Sequence, residues 1–196
     1  MFDQLGPEAP TLCDGWTNRE LAAHLFVRER RPLAAPGIML EPLSQLVDRS
    51  MTAAQERYDF AELVNKLRGG APVWSPFRHL DSQLNLLEYF VHHEDVRRAQ
   101  PDWEPRELPT AEQDALWSRL AGMLRLKASK GPVGLILQRD DTGDVLRLRA
   151  GEPAITMVGP PSELVLYAYG RKAVAQVDKH GEPDAVPGVD DAGRGS

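Results

Sequence analysis

Residues 16–25 read Trp16-Thr17-Asn18-Arg19-Glu20-Leu21-Ala22-Ala23-His24-Leu25, and this stretch decides how the first two thirds of the chain fold. Thr17 and Glu20 make a capping-box pattern. The hydroxyl is placed to accept from the Glu20 N–H, and the carboxylate to accept from the Thr17 N–H. Trp16 and Leu21 flank the cap, where two apolar side chains close into a hydrophobic staple. Pro32 stops the helix, because its ring clashes with the preceding turn. The expected helix covers residues 18–31. His24 follows Leu21 by three residues and precedes Leu25 by one, which puts an imidazole on the apolar, inward stripe.

More helices follow. A second helical region covers residues 42–67, with Asp59-Phe60-Ala61-Glu62 as a fresh cap inside it and Gly69-Gly70 as its end. A third covers 82–99, with Asp81 as N-cap, Leu84, Leu87, Val91 and Ala99 at helical spacing, and Pro101 beyond. Thr110 and Gln113 make another capping box, opening a helix to residue 127. After Gly131 the period changes. Residues 133–137 read as a buried strand, 140–144 as a turn, 146–149 as a half-buried strand and 154–158 as a third strand. An amphipathic helix at 161–170 turns Leu164, Val165 and Ala168 inward, and Val174 and Val177 mark a fourth strand. The expected organisation is a helical bundle at 1–127, a small α+β domain at 128–180, and a Gly-, Pro- and Asp-rich disordered tail at 181–196.

Composition bounds the function. Of 196 residues, 42% are hydrophobic and 27% charged, as in ordinary globular proteins. Asp plus Glu is 29 against 23 Lys plus Arg, a net charge of −6, which opposes general binding of nucleic acid. No apolar run approaches the roughly 18 residues of a membrane span. The first residues, MFDQLGPEAP, have neither the basic nor the apolar region of a secretory signal. The single cysteine, Cys13, forms no internal disulfide, which fits a reducing cytoplasm. It also excludes a cysteine-rich zinc knuckle and leaves histidines and carboxylates to build any metal site.

Glu88 and His92 are four apart, so they share one helical face, and Leu84, Leu87 and Val91 turn that face inward. With His24 they bring two imidazoles and a carboxylate into one bundle, a set that suits a divalent catalytic metal, zinc first. A buried Glu88 without a cation would need a partner or a shifted pKa. The bland alternatives are a hydrogen-bonded core histidine and a surface Glu–His pair. The spacing matches neither the HExxH of zincins nor the ExxH of di-iron bundles.

Residues 12–25, LCDGWTNRELAAHL, resemble the "GW…DLAAHL" signature of the mycothiol-dependent maleylpyruvate isomerase family, within the larger DinB-like group of metal-binding four-helix bundles. Residues 87–96, LEYFVHHEDV, resemble its second signature, E-x-x-x-H-x-x-D. VRERRP at 27–32 looks like an actinobacterial subgroup known only as metal-binding, and the strands and PSELVLYAYGR helix are similar to the family's sterol-carrier-like C-terminal domain. The resemblance implies His24, Glu88 and His92 as metal ligands and Asp95 as an outer hydrogen-bond partner of the site. It implies mycothiol as cosubstrate, the divalent metal, zinc foremost on the donor set, stabilising a thiolate that attacks an electrophile in a transferase or isomerase reaction. The substrate would sit between bundle and C-terminal domain. Arg28, one turn after His24, is a candidate anion binder or a helix-end salt bridge, and Arg171 is a second candidate anion binder.

The family's usual helix before the GW motif has little room here. Residues 1–5 offer at most one turn, and Gly6, Pro7 and Pro10 disfavour more. A late start, a partner chain such as a second copy, or degeneration would each account for it. A non-catalytic metal- or small-molecule-binding regulator is the alternative function. Of the remaining residues, Cys13 is expected as a small buried hydrophobe. Arg30 and Arg31 are expected in solvent, His79 structural, His93 at the surface and His180 inert in the tail. Trp74, Trp103 and Trp117 are expected as packing residues or loop anchors.

Overall fold

The computed structural model describes residues 1–30, 44–75, 81–126, 129–130 and 132–181. The expected stop at Pro32, Pro42, Arg31, His79 and the tail beyond Gly181 lie outside them, as does the side chain of Leu84. The chain forms two compact units, Met1–Glu104 and Pro105–Ser196, a helical domain followed by an α+β domain. No described helix is long and apolar enough to cross a membrane.

The first unit contains α1 (Phe2–Leu5), α2 (Asn18–Arg30), α3 (Ser44–Arg57), α4 (Phe60–Arg68) and α5 (Asp81–Arg98). Helix α2 is central because its sequence is apolar on two faces. Ala22, Ala23, Phe26 and Val27 pack with Val47, Met51, Ala54 and Leu63 of α3 and α4. Leu21 and Leu25 pack with Val96 of α5, and Trp16 covers that cluster as half of the expected staple. The cap of α2 differs from the pattern. Glu20 accepts from the Thr17 N–H at 2.9 Å as expected, but the Thr17 hydroxyl donates to the same carboxylate at 2.5 Å instead of accepting from the Glu20 amide. The Asn18 and Arg19 amides donate to the carbonyls of Ala9 and Pro7, so the segment before α2 satisfies its first donors.

Helix α1 is the one turn the sequence permits. Phe2 meets Phe60 edge-on at 5.9 Å, and Asp3 pairs with Arg68. The break within the second helical region falls at the fresh cap, with both arms of the Asp59–Glu62 box formed. Arg30 is not in solvent. Its guanidinium lies over Phe26 and donates to the carbonyls of Lys66 at 2.7 Å and Gly70 at 3.0 Å, where the last turn of α4 presents unpaired acceptors.

The second unit comprises α6 (Thr110–Leu126), β1 (Ser129–Lys130), β2 (Gly134–Arg139), β3 (Val145–Ala150), β4 (Ala154–Gly159), α7 (Pro161–Ala168) and β5 (Asp178–His180). The strands form one mixed sheet in the order β1-β3-β2-β4-β5. Helix α6 packs with α7 and the sheet, within the compact unit that begins at Pro105. The residue expected to cap α6 provides the reason. Gln113 makes no capping box; its amide group pairs with the Ser162 backbone N–H at 2.8 Å and the Ser162 hydroxyl at 3.2 Å, at the start of α7. Arg139 at the end of β2 ties the helix to the sheet, bonding Asp114 of α6 at 2.7 Å and Asp141 of the following turn at 2.6 and 2.8 Å. Arg139→Ala is expected to destabilise this unit by about 1.5–3 kcal/mol, the worth of charge-assisted hydrogen bonds; denaturant unfolding of the full chain checks it.

The fourth strand falls later than expected. The Gln176 amide is taken by the Glu163 carboxylate at 2.9 Å, so pairing with β4 begins at Asp178 and ends at His180. His180 is therefore a strand residue, opposite Thr156, and not part of the tail.

Candidate metal centre

Two helices supply the candidate ligands, as helical phase requires. Helix α2 carries His24 and Arg28 four apart; α5 carries Glu88, His92 and Asp95 on one face. One donor atom each from His24, Glu88 and His92 lies within 4.8 Å of the others. His92 Nε2 is 3.4 Å from Glu88 Oε2, and the rings of His24 and His92 meet edge to face at 5.3 Å. Trp16 supports His24 from another side, its ring centroid 5.1 Å away. Nδ1 of His24 is buried with no hydrogen-bond partner among the described residues. A buried nitrogen in that state is costly unless something takes its lone pair or its proton.

Asp95 is fully buried, and its Oδ2 accepts from His92 Nδ1 at 2.9 Å. This fixes the ring and leaves Nε2 facing Glu88. Arg28, also buried, brings Nε to 4.0 Å from Glu88 Oε2. The electrostatics follow the packing. Burial holds the His24 imidazole down to about 4, with His92 adding to the effect. Burial also opposes charge on His92, but hydrogen bonds with Asp95, Cys13 and Glu88 prevail and raise it to about 10. Burial likewise opposes charge on Glu88, yet His92 and Arg28 keep its carboxyl below the usual range. The neutral His24 and the ionised Glu88 are both in the form a metal requires.

Sequence reasoning missed Cys13. The residue is half-buried, and its thiol donates to Asp95 Oδ2 at 3.3 Å instead of serving as a small hydrophobe. Residues 11–16 hold it there. Thr11 Oγ1 accepts from the Cys13 amide at 3.2 Å, Cys13 O accepts from Trp16 N at 3.0 Å, and Leu12 N donates to the carbonyl of Asp95 at 3.0 Å. The Asp14-Gly15 turn signal was in the sequence; the partner on α5 was not. Sequence reasoning also missed Glu94, which binds Arg97 and Arg98 on α5, and Glu29, which accepts from the Tyr89 hydroxyl.

Arg171 belongs to the second unit and donates to the carbonyl of Tyr169 at 2.7 Å. His93 is 42% exposed beside Glu94. Trp117 is buried, Trp103 lies under Arg98, and Trp74 is exposed at 63%, against its expected packing role. A mainly apolar cavity of about 320 Å³ adjoins the site, lined by Phe2, Leu25, Leu67, Tyr89, His92 and Val96 among others.

A solved structure of a mycothiol-dependent maleylpyruvate isomerase resembles this chain, with a TM-score of 0.51 at 16% identity, covering 91% of this chain and 86% of the other. At that identity the likeness shows the fold. No protein-family model matches the chain, and no curated protein matches it in sequence.

Proposed function

We propose that the first unit is a DinB-like metal-binding bundle and that the protein is a thiol-dependent transferase or isomerase. Its resident metal is a divalent ion, zinc foremost, and mycothiol is the low-molecular-weight thiol. The observation that carries this reading is the convergence of donor atoms of His24, Glu88 and His92 from two helices, one of these residues, His24, having a buried ring nitrogen with no hydrogen-bond partner among the described residues. The likeness to a mycothiol-dependent isomerase fold supports it. When bound, a divalent ion supplies a Lewis acid that favours the thiolate over the thiol. The chain supplies the rest. Asp95 holds the His92 ring so that Nε2 faces Glu88. Trp16 fixes His24, and Arg28 balances Glu88. The cavity beside His92 gives the apolar part of a small electrophile a place shielded from water. The second unit is read as sterol-carrier-like, and the protein as cytoplasmic and acting on small molecules.

Elemental analysis of protein purified with zinc offered is expected to give at least one divalent ion per chain. Glu88→Gln, which keeps the side chain's shape but removes its charge, is expected to lose the ion held with His24. With an electrophile panel, the loaded wild type should then either consume mycothiol, as a transferase does, or convert a substrate to its isomer only when mycothiol is present and without consuming it, as an isomerase does. A wild type that stays metal-free in excess zinc overturns the reading.

A further inference from the structure

We propose that Cys13, Asp95 and the Nδ1 edge of His92 form a second cation position, suited to a thiophilic divalent ion such as zinc or cobalt. His92 stands between two carboxylates. Its Nε2 is 3.4 Å from Glu88 Oε2, and its Nδ1 is 2.9 Å from Asp95 Oδ2. Cys13 Sγ is 3.3 Å from that same Asp95 oxygen, and the donor atoms of Cys13, His92 and Asp95 lie within 4.8 Å of one another. A tetrahedral zinc with bonds of about 2.0–2.3 Å spaces its ligand atoms about 3.3–3.6 Å apart. Two of the three separations, 2.9 and 3.3 Å, are at or below the short end of that range, and the third is within 4.8 Å, so small side-chain shifts bring the donors to it. One sulfur, one imidazole nitrogen and one carboxylate oxygen make a donor set that zinc accepts.

The position is held from both sides. Asp95 and His92 belong to one stretch of α5, and the turn bearing Cys13 is fastened to that stretch through the Leu12 amide and the Asp95 carbonyl. Cys13 is half-buried, which leaves an ion a way in from solvent. Binding here releases the thiol proton of Cys13 and the Nδ1 proton that His92 shares with Asp95. When both positions fill, His92 also gives up its remaining ring proton, at Nε2, and serves both positions through its two nitrogens. The Glu88 and Asp95 carboxylates, the Cys13 thiolate and the His92 imidazolate then balance the charge of two divalent ions.

The inference shares His92 with the reading above, but Cys13 and Asp95 are not ligands in that reading. The test therefore separates them. Cobalt(II) is titrated into the metal-free full chain while near-ultraviolet absorption is followed. Cys13 is the chain's one cysteine, so a sulfur-to-cobalt charge-transfer band reports this position alone. The expected result is two ions per chain with the band in wild type. Cys13→Ser should bind one ion with no band, and Glu88→Gln should bind one ion with the band retained. Absence of the band in wild type overturns the proposal. So does a band that Glu88→Gln abolishes, because Cys13 would then be a fourth ligand of the first ion. Two ions in Cys13→Ser overturn it as well. If wild type and Glu88→Gln each bind one ion with the band, the second position stands and the first reading fails. Should Cys13→Ser not fold, the rate at which a thiol reagent modifies Cys13 decides. Cobalt should slow it at least tenfold in wild type and in Glu88→Gln alike, and an unchanged rate overturns the proposal.

Discussion

Glu94→Ala is expected to lower the stability of the first unit by about 3–5 kcal/mol, the cost of removing one member of a buried ion pair. Glu94 is 1% exposed on α5, and its Oε2 accepts from Arg98 Nε at 2.7 Å and Arg97 Nη2 at 2.7 Å. The Arg98 side chain is itself 1% exposed, and the loss takes this carboxylate from a guanidinium that water does not reach. Trp103 lies 4.7 Å from that guanidinium, so the damage would extend to the segment after α5. The same group sets an acid limit. Burial opposes the Glu94 charge, but hydrogen bonds from His93, Arg97 and Arg98 win and hold its carboxyl well below the ordinary range. A depressed folded pKa contributes stability that is fully present above the unfolded value of about 4.3. That stability is lost as pH falls from there through the folded value, by at most about 1.4 kcal/mol per pH unit for one carboxylate. Urea midpoints measured from pH 6 downward should fall less steeply for Glu94→Gln than for wild type.

His92→Ala is expected to weaken binding of the first divalent ion by more than about 100-fold, beyond the 10–100-fold that loss of an outer partner costs. Asp95→Asn should fall within that outer-partner range, and His93→Ala should leave affinity close to wild type. Competition against a metal-sensitive dye reads all three. His92 lies where both carboxylates meet, and its raised pKa of about 10 means that it carries a proton near neutrality in the metal-free chain. A metal must displace that proton. Affinity should therefore rise with pH through the neutral range, by about tenfold per unit for one released proton. A flat profile would show that the proton is not where the hydrogen bonds put it.

Local signals made much of this legible. The Thr17–Glu20 and Asp59–Glu62 pairs mark two helix starts, and alternation over residues 146–149 marks the strand found at Val145–Ala150, because each depends on residues a turn or a pleat apart. Helical phase alone put His24, Glu88 and His92 on inward faces. What stayed hidden depends on partners far along the chain. Gln113 reads as a cap until Ser162 takes its amide. Arg30 reads as solvated until the end of α4 arrives beneath it. Cys13 reads as a filler until Asp95 stands beside it, and the expectation that only histidines and carboxylates could hold a metal followed from counting cysteines without seeing that contact. The packing of α6 onto α7 and the sheet stayed hidden for the same reason, since nothing within 110–126 tells that helix which neighbours it will have.

The tie between the Cys13 turn and Asp95 spans 82 residues of chain. Closing a loop of that length costs on the order of 4 kcal/mol of chain entropy before any contact repays it. Neither the turn nor α5 can form this junction from local sequence, so it is expected to come together only after the helices between them have docked. The outer edge of the candidate metal centre is then expected to be a late event in folding. A chain caught partway would have its helices, and His24 on its face of α2, without the corner that holds His92 in place.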